Sequence, residues 1–139
     1  MIVVDATDMI VGRMATKIAK AALLGEEVSV INCESAIFTG SPTQVFDRFK
    51  TQTQRGNPVK GPFVHRQPHA IVKRSIRGMI PYKRASGSEA LSRIKCYTGV
   101  PVSLKDEKVV SFEDANFSKI GVLKFTTVGD LSKKLGAKL

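Results

Sequence analysis

The sequence predicts an α/β protein: a three-layer α/β/α sandwich around a small, mostly parallel sheet. Short runs of β-branched residues, at 2–4 and 28–31, have the continuous hydrophobicity of strands buried on both faces. Segments with helical spacing of apolar residues, at 11–24 and 70–80, alternate with such runs along the chain. This alternation is typical of a parallel sheet covered by helices. The 139 residues favour a single domain over 1–139 with a real hydrophobic core.

The N-terminal elements are predicted to be a strand, a helix and a second strand. The run Ile2-Val3-Val4 predicts the first strand, and a loop at 5–8 follows it. In the helix predicted over 11–24, apolar residues share one face and basic residues the other. The predicted inward residues are Val11, Met14, Ile18 and Ala22, and the outward ones are Arg13, Lys17 and Lys20. Gly25 favours the end of this helix, and the run at 28–31 predicts the second strand.

The next helix is predicted to begin at Ser41. The order Ser41-Pro42-Thr43-Gln44 provides an N-cap serine, a proline at the first helical position and a capping-box glutamine. The apolar stripe of this helix is Val45, Phe46 and Phe49. Residues 55–69 combine glycine and proline with positive charge and few apolar residues, which predicts an exposed loop.

A third helix is predicted over 70–80 and is ended by Pro81. Its predicted inward residues are Val72, Ile76, Met79 and Ile80. Its basic residues, Lys73, Arg74 and Arg77, share a roughly opposite face. The predicted helix therefore has a core side and a positively charged side.

A short helix and a third strand are predicted next. Ser86 and Glu89 have the spacing of a second capping box, with Leu91 and Ile94 facing inward. Residues 95–97 predict the strand.

The C-terminal part has weaker patterns. Residues 108–112 have the composition of a short strand, and the pattern at 116–124 is ambiguous. A final helix is predicted over 127–135, with Thr127 as its N-cap and Gly136 beyond its end.

Positive charge is concentrated in one segment. Residues 48–95 carry twelve basic residues and one acid, Glu89, whereas the rest of the chain carries ten basic and eleven acidic residues. Such a block repels itself unless a polyanion is near, and a one-sided basic field is typical of nucleic-acid binding. The chain has no Trp and nine Phe and Tyr residues, so stacking platforms for single-stranded bases are not expected to dominate. The predicted contact residues are Arg48, Lys50, Arg55, Lys60, His65, Arg66, Lys73, Arg74, Arg77, Lys83, Arg84 and Arg93.

A small cytosolic nucleotide-binding enzyme is the main alternative. The first strand-to-helix turn, at 5–13, has one glycine where the dinucleotide fingerprint has three, and its carboxylates would repel a pyrophosphate. The sequence contains no phosphate loop of the form GxxxxGK[ST] and no credible nucleophile–base pair. We therefore expect no catalytic turnover, no cofactor and no small-molecule substrate.

The sequence gives little support for a metal site. His65 and His69 have the spacing of a helical zinc pair, but Pro68 lies between them and no third ligand is evident. Asp5 and Asp8 are better explained if Asp8 caps the first helix and Asp5 pairs with a basic neighbour. We therefore predict no metal site.

The expected location is the cytoplasm, with no membrane partner. The start MIVVDATD lacks the positive charge of a secretory signal, and the apolar runs are too short to span a bilayer. Cys33 and Cys96 are flanked by apolar residues and are expected to be reduced and buried. The sequence leaves open a disulfide between them.

Several motifs, in order, resemble a known family. Residues 4–16 (VDATDMIVGRMAT), 30–34 (VINCE, with Thr39-Gly40), 77–83 (RGMIPYK) and 91–99 resemble the signatures of ribosomal protein L thirteen of the large subunit. The resemblance covers about residues 2–101. The chain after Pro101 resembles the archaeal and eukaryotic branch.

The resemblance implies a three-layer α/β/α fold and a non-enzymatic role. It implies packing against large-subunit ribosomal RNA, support of subunit assembly, and contact with neighbouring ribosomal proteins. Arg77 and Lys83 match the family motif and already belong to the predicted contact residues. Gly12 is then explained by a tight helix–strand contact or by close approach to RNA. An RNA-binding regulator outside the ribosome remains a rival that the sequence does not separate.

Overall fold

The computed structural model describes residues 1–121 and 123–138. The strands are β1 (Ile2–Asp5), β2 (Val28–Ile31), β3 (Ile37–Thr39), β4 (Ile94–Cys96), β5 (Val109–Val110) and β6 (Phe125–Thr127). The α-helices are α1 (Val11–Leu23), α2 (Pro42–Gln54), α3 (Pro68–Arg77), α4 (Ala85–Ser92) and α5 (Val128–Lys134).

The main sheet has four parallel strands in the order β4-β2-β1-β5. Ile2 pairs with Val28, Val28 with Ile94, and Val3 with Val109. The central strands β1 and β2 are the β-branched runs that the sequence singled out, and their middle residues are buried. Continuous hydrophobicity is what a parallel strand covered on both faces requires.

The sheet separates two apolar clusters, because successive strand residues face opposite sides. Val4, Val28 and Val30 face the larger core, which side chains of α1, α3, α4 and α5 complete. Val3 and Ile31 face a smaller cluster with Leu104 of the 3-10 helix Val102–Leu104. The predicted fold class is confirmed: a mostly parallel sheet flanked by helices, in agreement with a three-layer α/β/α arrangement.

A second sheet was not predicted. β3 and β6 pair antiparallel, with Ile37 opposite Thr127 and Thr39 opposite Phe125. Each strand has three residues, and the two lie far apart in the sequence, so neither carries a local pattern of its own. The ambiguous stretch 116–124 contains a 3-10 helix, Phe117–Lys119, and its residue 122 lies outside the described residues.

The prediction for the third helix was wrong at Met79. The predicted inward residues Val72, Ile76 and Ile80 are buried, but Met79 is 42% exposed. α3 begins at Pro68, ends at Arg77 and gives way to a turn, so helical spacing no longer applies at Met79. Its sulfur accepts a hydrogen bond from the hydroxyl of Thr16 at 3.4 Å.

The helix caps were predicted only in part. Ser41 and Pro42 occupy the N-cap and first position of α2, but Ser41 makes no side-chain capping bond. The second capping box is wrong, because Ser86 lies inside α4, whose N-cap is Arg84. The Thr127 cap of α5 is confirmed by a hydrogen bond that its hydroxyl accepts from the Asp130 amide at 3.1 Å.

Candidate nucleic-acid interface

Helix α3 has one buried side and one charged side. Ile71, Val72 and Ile76 are buried in the larger core. The basic side chains lie on the side of the helix away from the core. Lys73 is half-buried, and Arg74 and Arg77 are exposed. The predicted basic face is therefore present, and the core fixes its direction.

Two clefts adjoin this basic face. One has a volume of about 500 Å³ and is lined by the loop at 62–65 and by Lys73, Arg74 and Arg77. The other, of about 270 Å³, is lined by Arg48 of α2 and by Arg74. Arg74 therefore belongs to both clefts, and the fold brings Arg48 and His65 to the α3 cations.

The turn after α3 extends the charged surface with Lys83 and Arg84, which are exposed. The Arg84 amide donates to the Pro81 carbonyl at 2.9 Å, and this carbonyl lies against α4 at Gly87. A Cβ added at Gly87 would lie 2.1 Å from the Pro81 oxygen, so a glycine is needed for this close approach.

The Arg77 guanidinium lies over the Tyr82 ring, 5.1 Å from its centroid. This cation–π contact directs Arg77 toward the same turn. Arg77 therefore lies at the end of α3 from which the turn with Lys83 and Arg84 continues.

Among the described residues, most of the predicted contact residues have no acidic counter-charge. Within residues 1–121 and 123–138, Arg93 is the one member of the set that forms an ion pair, with Glu89 at 3.6 Å. Uncompensated cations on neighbouring turns repel one another, and a polyanion relieves that repulsion.

The other predicted residues lie apart from the α3 face or have structural partners. Lys50, Arg55 and Lys60 are exposed along the end of α2 and the following loop. Arg93 also donates to the Ala22 carbonyl at 3.3 Å, at the end of α1. The Arg66 carbonyl accepts a hydrogen bond from the Ser132 hydroxyl of α5. Arg66 and Arg93 therefore also hold elements together.

Both cysteines are free thiols, as predicted, and Cys96 lies near Lys73. Cys33 is buried, as predicted, but the prediction of burial was wrong for Cys96, which is half-buried. The Cys33 thiol donates to the Val30 carbonyl at 3.8 Å. The neighbouring Cys96 sulfur, together with burial, raises the pKa of Cys33. The proximity of Cys33 lowers the pKa of Cys96, burial opposes this effect, and the nearby Lys73 charge adds to the lowering.

Hydrogen bonds to the Asp5 side chain stabilise the turn at 5–10. Oδ1 of Asp5 accepts hydrogen bonds from the Thr7 amide at 3.0 Å, the Thr7 hydroxyl at 2.7 Å and the Asn32 amide group at 3.0 Å. Burial raises the pKa of Asp5, but these hydrogen bonds outweigh it and leave the pKa lowered. The prediction that Asp5 pairs with a basic neighbour was wrong, because neutral donors occupy its carboxylate.

The prediction that Asp8 caps α1 was also wrong. Asp8 adopts a left-handed conformation (φ 56°) and precedes the true N-cap, Ile10. Its amide donates to the Ser35 carbonyl and its carbonyl accepts from the Phe117 amide. This turn therefore joins β1 to the C-terminal part of the chain.

Gly12 makes no tight contact. A Cβ placed there would meet nothing within 4 Å, so the predicted helix–strand contact is wrong. Of the two explanations for this glycine, close approach to RNA is the one that stays a prediction.

The two histidines lie in different elements of the structure. His69 is in the first turn of α3 and lies 3.2 Å from the Thr98 hydroxyl, whereas His65 is exposed in the loop. In the described part of the chain, no group of three or more His, Cys, Asp and Glu side chains could hold a metal ion. None of the helices in that part is long and apolar enough to cross a membrane.

Comparison with known proteins supports the resemblance. The sequence model described as Ribosomal protein L13 matches residues 1–103. The chain is similar to three archaeal proteins, each named large ribosomal subunit protein uL13. It is 42% identical over 138 residues to the protein of Methanococcoides burtonii, 40% over 139 residues to that of Methanosarcina barkeri, and 44% over 142 residues to that of Methanococcus maripaludis. Each comparison covers 99% of both chains, and therefore includes the part after Pro101 that resembles the archaeal branch. The chain belongs to the ribosomal protein L13 family.

Proposed function

We propose that this chain is a structural constituent of the large ribosomal subunit that binds ribosomal RNA and supports subunit assembly. The family consists of structural ribosomal proteins and not of enzymes. The relatives named above are large-subunit proteins, which supports a location in the ribosome and contacts with neighbouring ribosomal proteins.

The observation that carries the RNA-binding proposal is the unpaired cation face of α3 and the turn after it. Lys73, Arg74 and Arg77 form no ion pair within residues 1–121 and 123–138. Lysine and arginine that meet phosphates release condensed counterions, which drives binding and makes it salt-dependent. The A-form duplex hides its base edges in a deep groove, so phosphate and shape contacts are the principal readout at this face.

Three further predicted residues extend this surface. Arg48 adjoins Arg74 across the second cleft, and Lys83 and Arg84 continue the face beyond α3. We further propose that residues 1–139 act as one domain, with 102–139 as a C-terminal extension. The packing of α5 against α3 supports this proposal.

The test is a charge-matched pair of triple variants. Lys73→Gln, Arg74→Gln and Arg77→Gln together remove three charges from the α3 face. The control removes three exposed charges outside 48–95, by Lys105→Gln, Lys108→Gln and Lys133→Gln. Affinity for large-subunit ribosomal RNA is then measured across a range of salt concentrations.

The α3 variant should bind more weakly, and its salt slope should fall by about one unit per lost phosphate contact. The control should keep most of the slope, although its net charge is the same. Equal behaviour of the two variants would contradict the assignment of the α3 face. Sedimentation of cell extract tests the ribosomal location, since a regulator outside the ribosome would not travel with the large subunit.

A further inference from the structure

The larger cleft beside α3 combines two properties that phosphate binding alone does not need. Its lining is mostly apolar, with Phe63 and Val64 from the loop and Leu91 from α4. Its remaining lining includes three cations of α3. A volume of about 500 Å³ is in the range of sites that hold a small organic group.

Phe63 is the unusual residue of this cleft. It is 73% exposed. A single exposed apolar side chain is ordinary. Here, however, the ring lines a cleft with Lys73, Arg74 and Arg77, so an aromatic face and positive charge are available to the same ligand.

A nucleotide is a ligand with the complementary properties. Its base has flat apolar faces that stack on aromatic rings, and its phosphate is an anion. An unpaired base can enter such a cleft, whereas a base within a continuous duplex is held in its stack.

We propose that this cleft receives one unpaired base of RNA, stacked on Phe63, with the adjoining phosphates at Lys73, Arg74 and Arg77. The inference rests on the proposed RNA-binding function and names the RNA feature that the site selects: a bulged or looped nucleotide beside a duplex. It adds base stacking to a surface on which phosphate contacts were expected to dominate.

Two RNAs test the proposal: a continuous duplex, and the same duplex with one extra unpaired nucleotide. The wild-type protein should bind the bulged RNA more tightly. Phe63→Ala should weaken binding of the bulged RNA by about 5- to 150-fold, which corresponds to the free energy of one base–aromatic stack. Its affinity for the continuous duplex should not change.

Two variants serve as controls. Phe63→Tyr keeps an aromatic face and should keep the preference. Val59→Ala changes another exposed apolar residue of the same loop, outside the cleft lining, and should have no effect. A wild-type protein that binds both RNAs equally and in a salt-dependent way would overturn the cleft assignment and leave the proposed function intact. If the wild-type protein binds neither RNA in a salt-dependent way, that result would instead overturn the proposed function.

A crosslinking experiment distinguishes an RNA base from a protein side chain. p-Azidophenylalanine incorporated at position 63 is activated in intact large subunits, and the adduct is identified by mass spectrometry. A crosslink to a nucleotide is the expected result. A crosslink to a neighbouring protein would overturn the proposal.

Discussion

Replacing Gly87 by alanine should displace the turn that presents Lys83 and Arg84. The added Cβ would lie 2.1 Å from the Pro81 oxygen, 2.5 Å from the Pro81 carbonyl carbon and 3.0 Å from the Tyr82 nitrogen. All three are backbone atoms, so no side-chain rotation relieves the overlap. Since an ordinary C···O contact is about 3.4 Å, the turn or α4 must move by roughly 1.3 Å.

The expected loss of stability follows from two opposing effects. Alanine is favoured over glycine inside a helix by about 1 kcal/mol. Overpacking that shifts backbone costs about 3 kcal/mol or more, at the upper end of the usual range. The net destabilisation of Gly87→Ala should therefore be about 2 kcal/mol.

Urea unfolding followed by circular dichroism measures this difference. Gly12→Ala is the matched control, because Gly12 lies within α1 and an added Cβ there meets nothing within 4 Å. That variant should be as stable as the wild type or more stable, by up to about 1 kcal/mol. Equal unfolding midpoints for Gly87→Ala and the wild type would refute the reasoning, since they would show that the turn yields at no cost.

Three other predictions concern buried and titrating groups. Ile76→Asp should unfold the protein, because an unpaired buried charge costs roughly 3–5 kcal/mol. Met79→Asp is the control and should stay folded, because Met79 is exposed. Circular dichroism distinguishes the two outcomes. The pKa of Asp5 in the folded protein is lowered from its ordinary value of 3.8. The ionised Asp5 carboxylate therefore stabilises the folded protein above pH 3.8, and this stabilisation is lost as the pH falls through the pKa of Asp5 in the folded protein. Asp5→Asn should therefore be less stable at pH 7 and lose less stability on acidification, as measured by urea unfolding at each pH. Iodoacetamide should alkylate Cys96 before Cys33 in the native protein, because Cys96 is half-buried whereas Cys33 is buried. Peptide mass spectrometry that finds Cys33 modified first would contradict this.

Elements with a complete local pattern were predictable from the sequence. The run at 28–31 is buried at every position, and the stripe of α1 is buried as its spacing predicted. The end of α5 was also predictable, because Gly136 adopts φ 90° just beyond it. In each case the pattern and the burial involve the same few neighbouring residues.

Features that depend on distant partners were not predictable. β3 exists because Ile37 meets Thr127, and the orientation of Met79 depends on a turn that packs against Gly87. The basic segment was visible in the composition, but the approach of Arg48 to Arg74 requires α2 to lie beside α3. The cleft at Phe63 likewise exists only when the loop lies beside that helix.

The C-terminal part of the chain is connected to the cation face through α3. β5 adds to the open edge of β1, the Ile10 amide donates to the Ala115 carbonyl at 2.9 Å, and α5 packs on α3 from the core side. Because α1, β4 and α5 together cover the inner side of α3, its cations are directed outward. If α3 binds RNA as we propose, the described residues beyond 103 contribute to that binding without an RNA contact of their own, because α5 supports α3 and therefore the cation face.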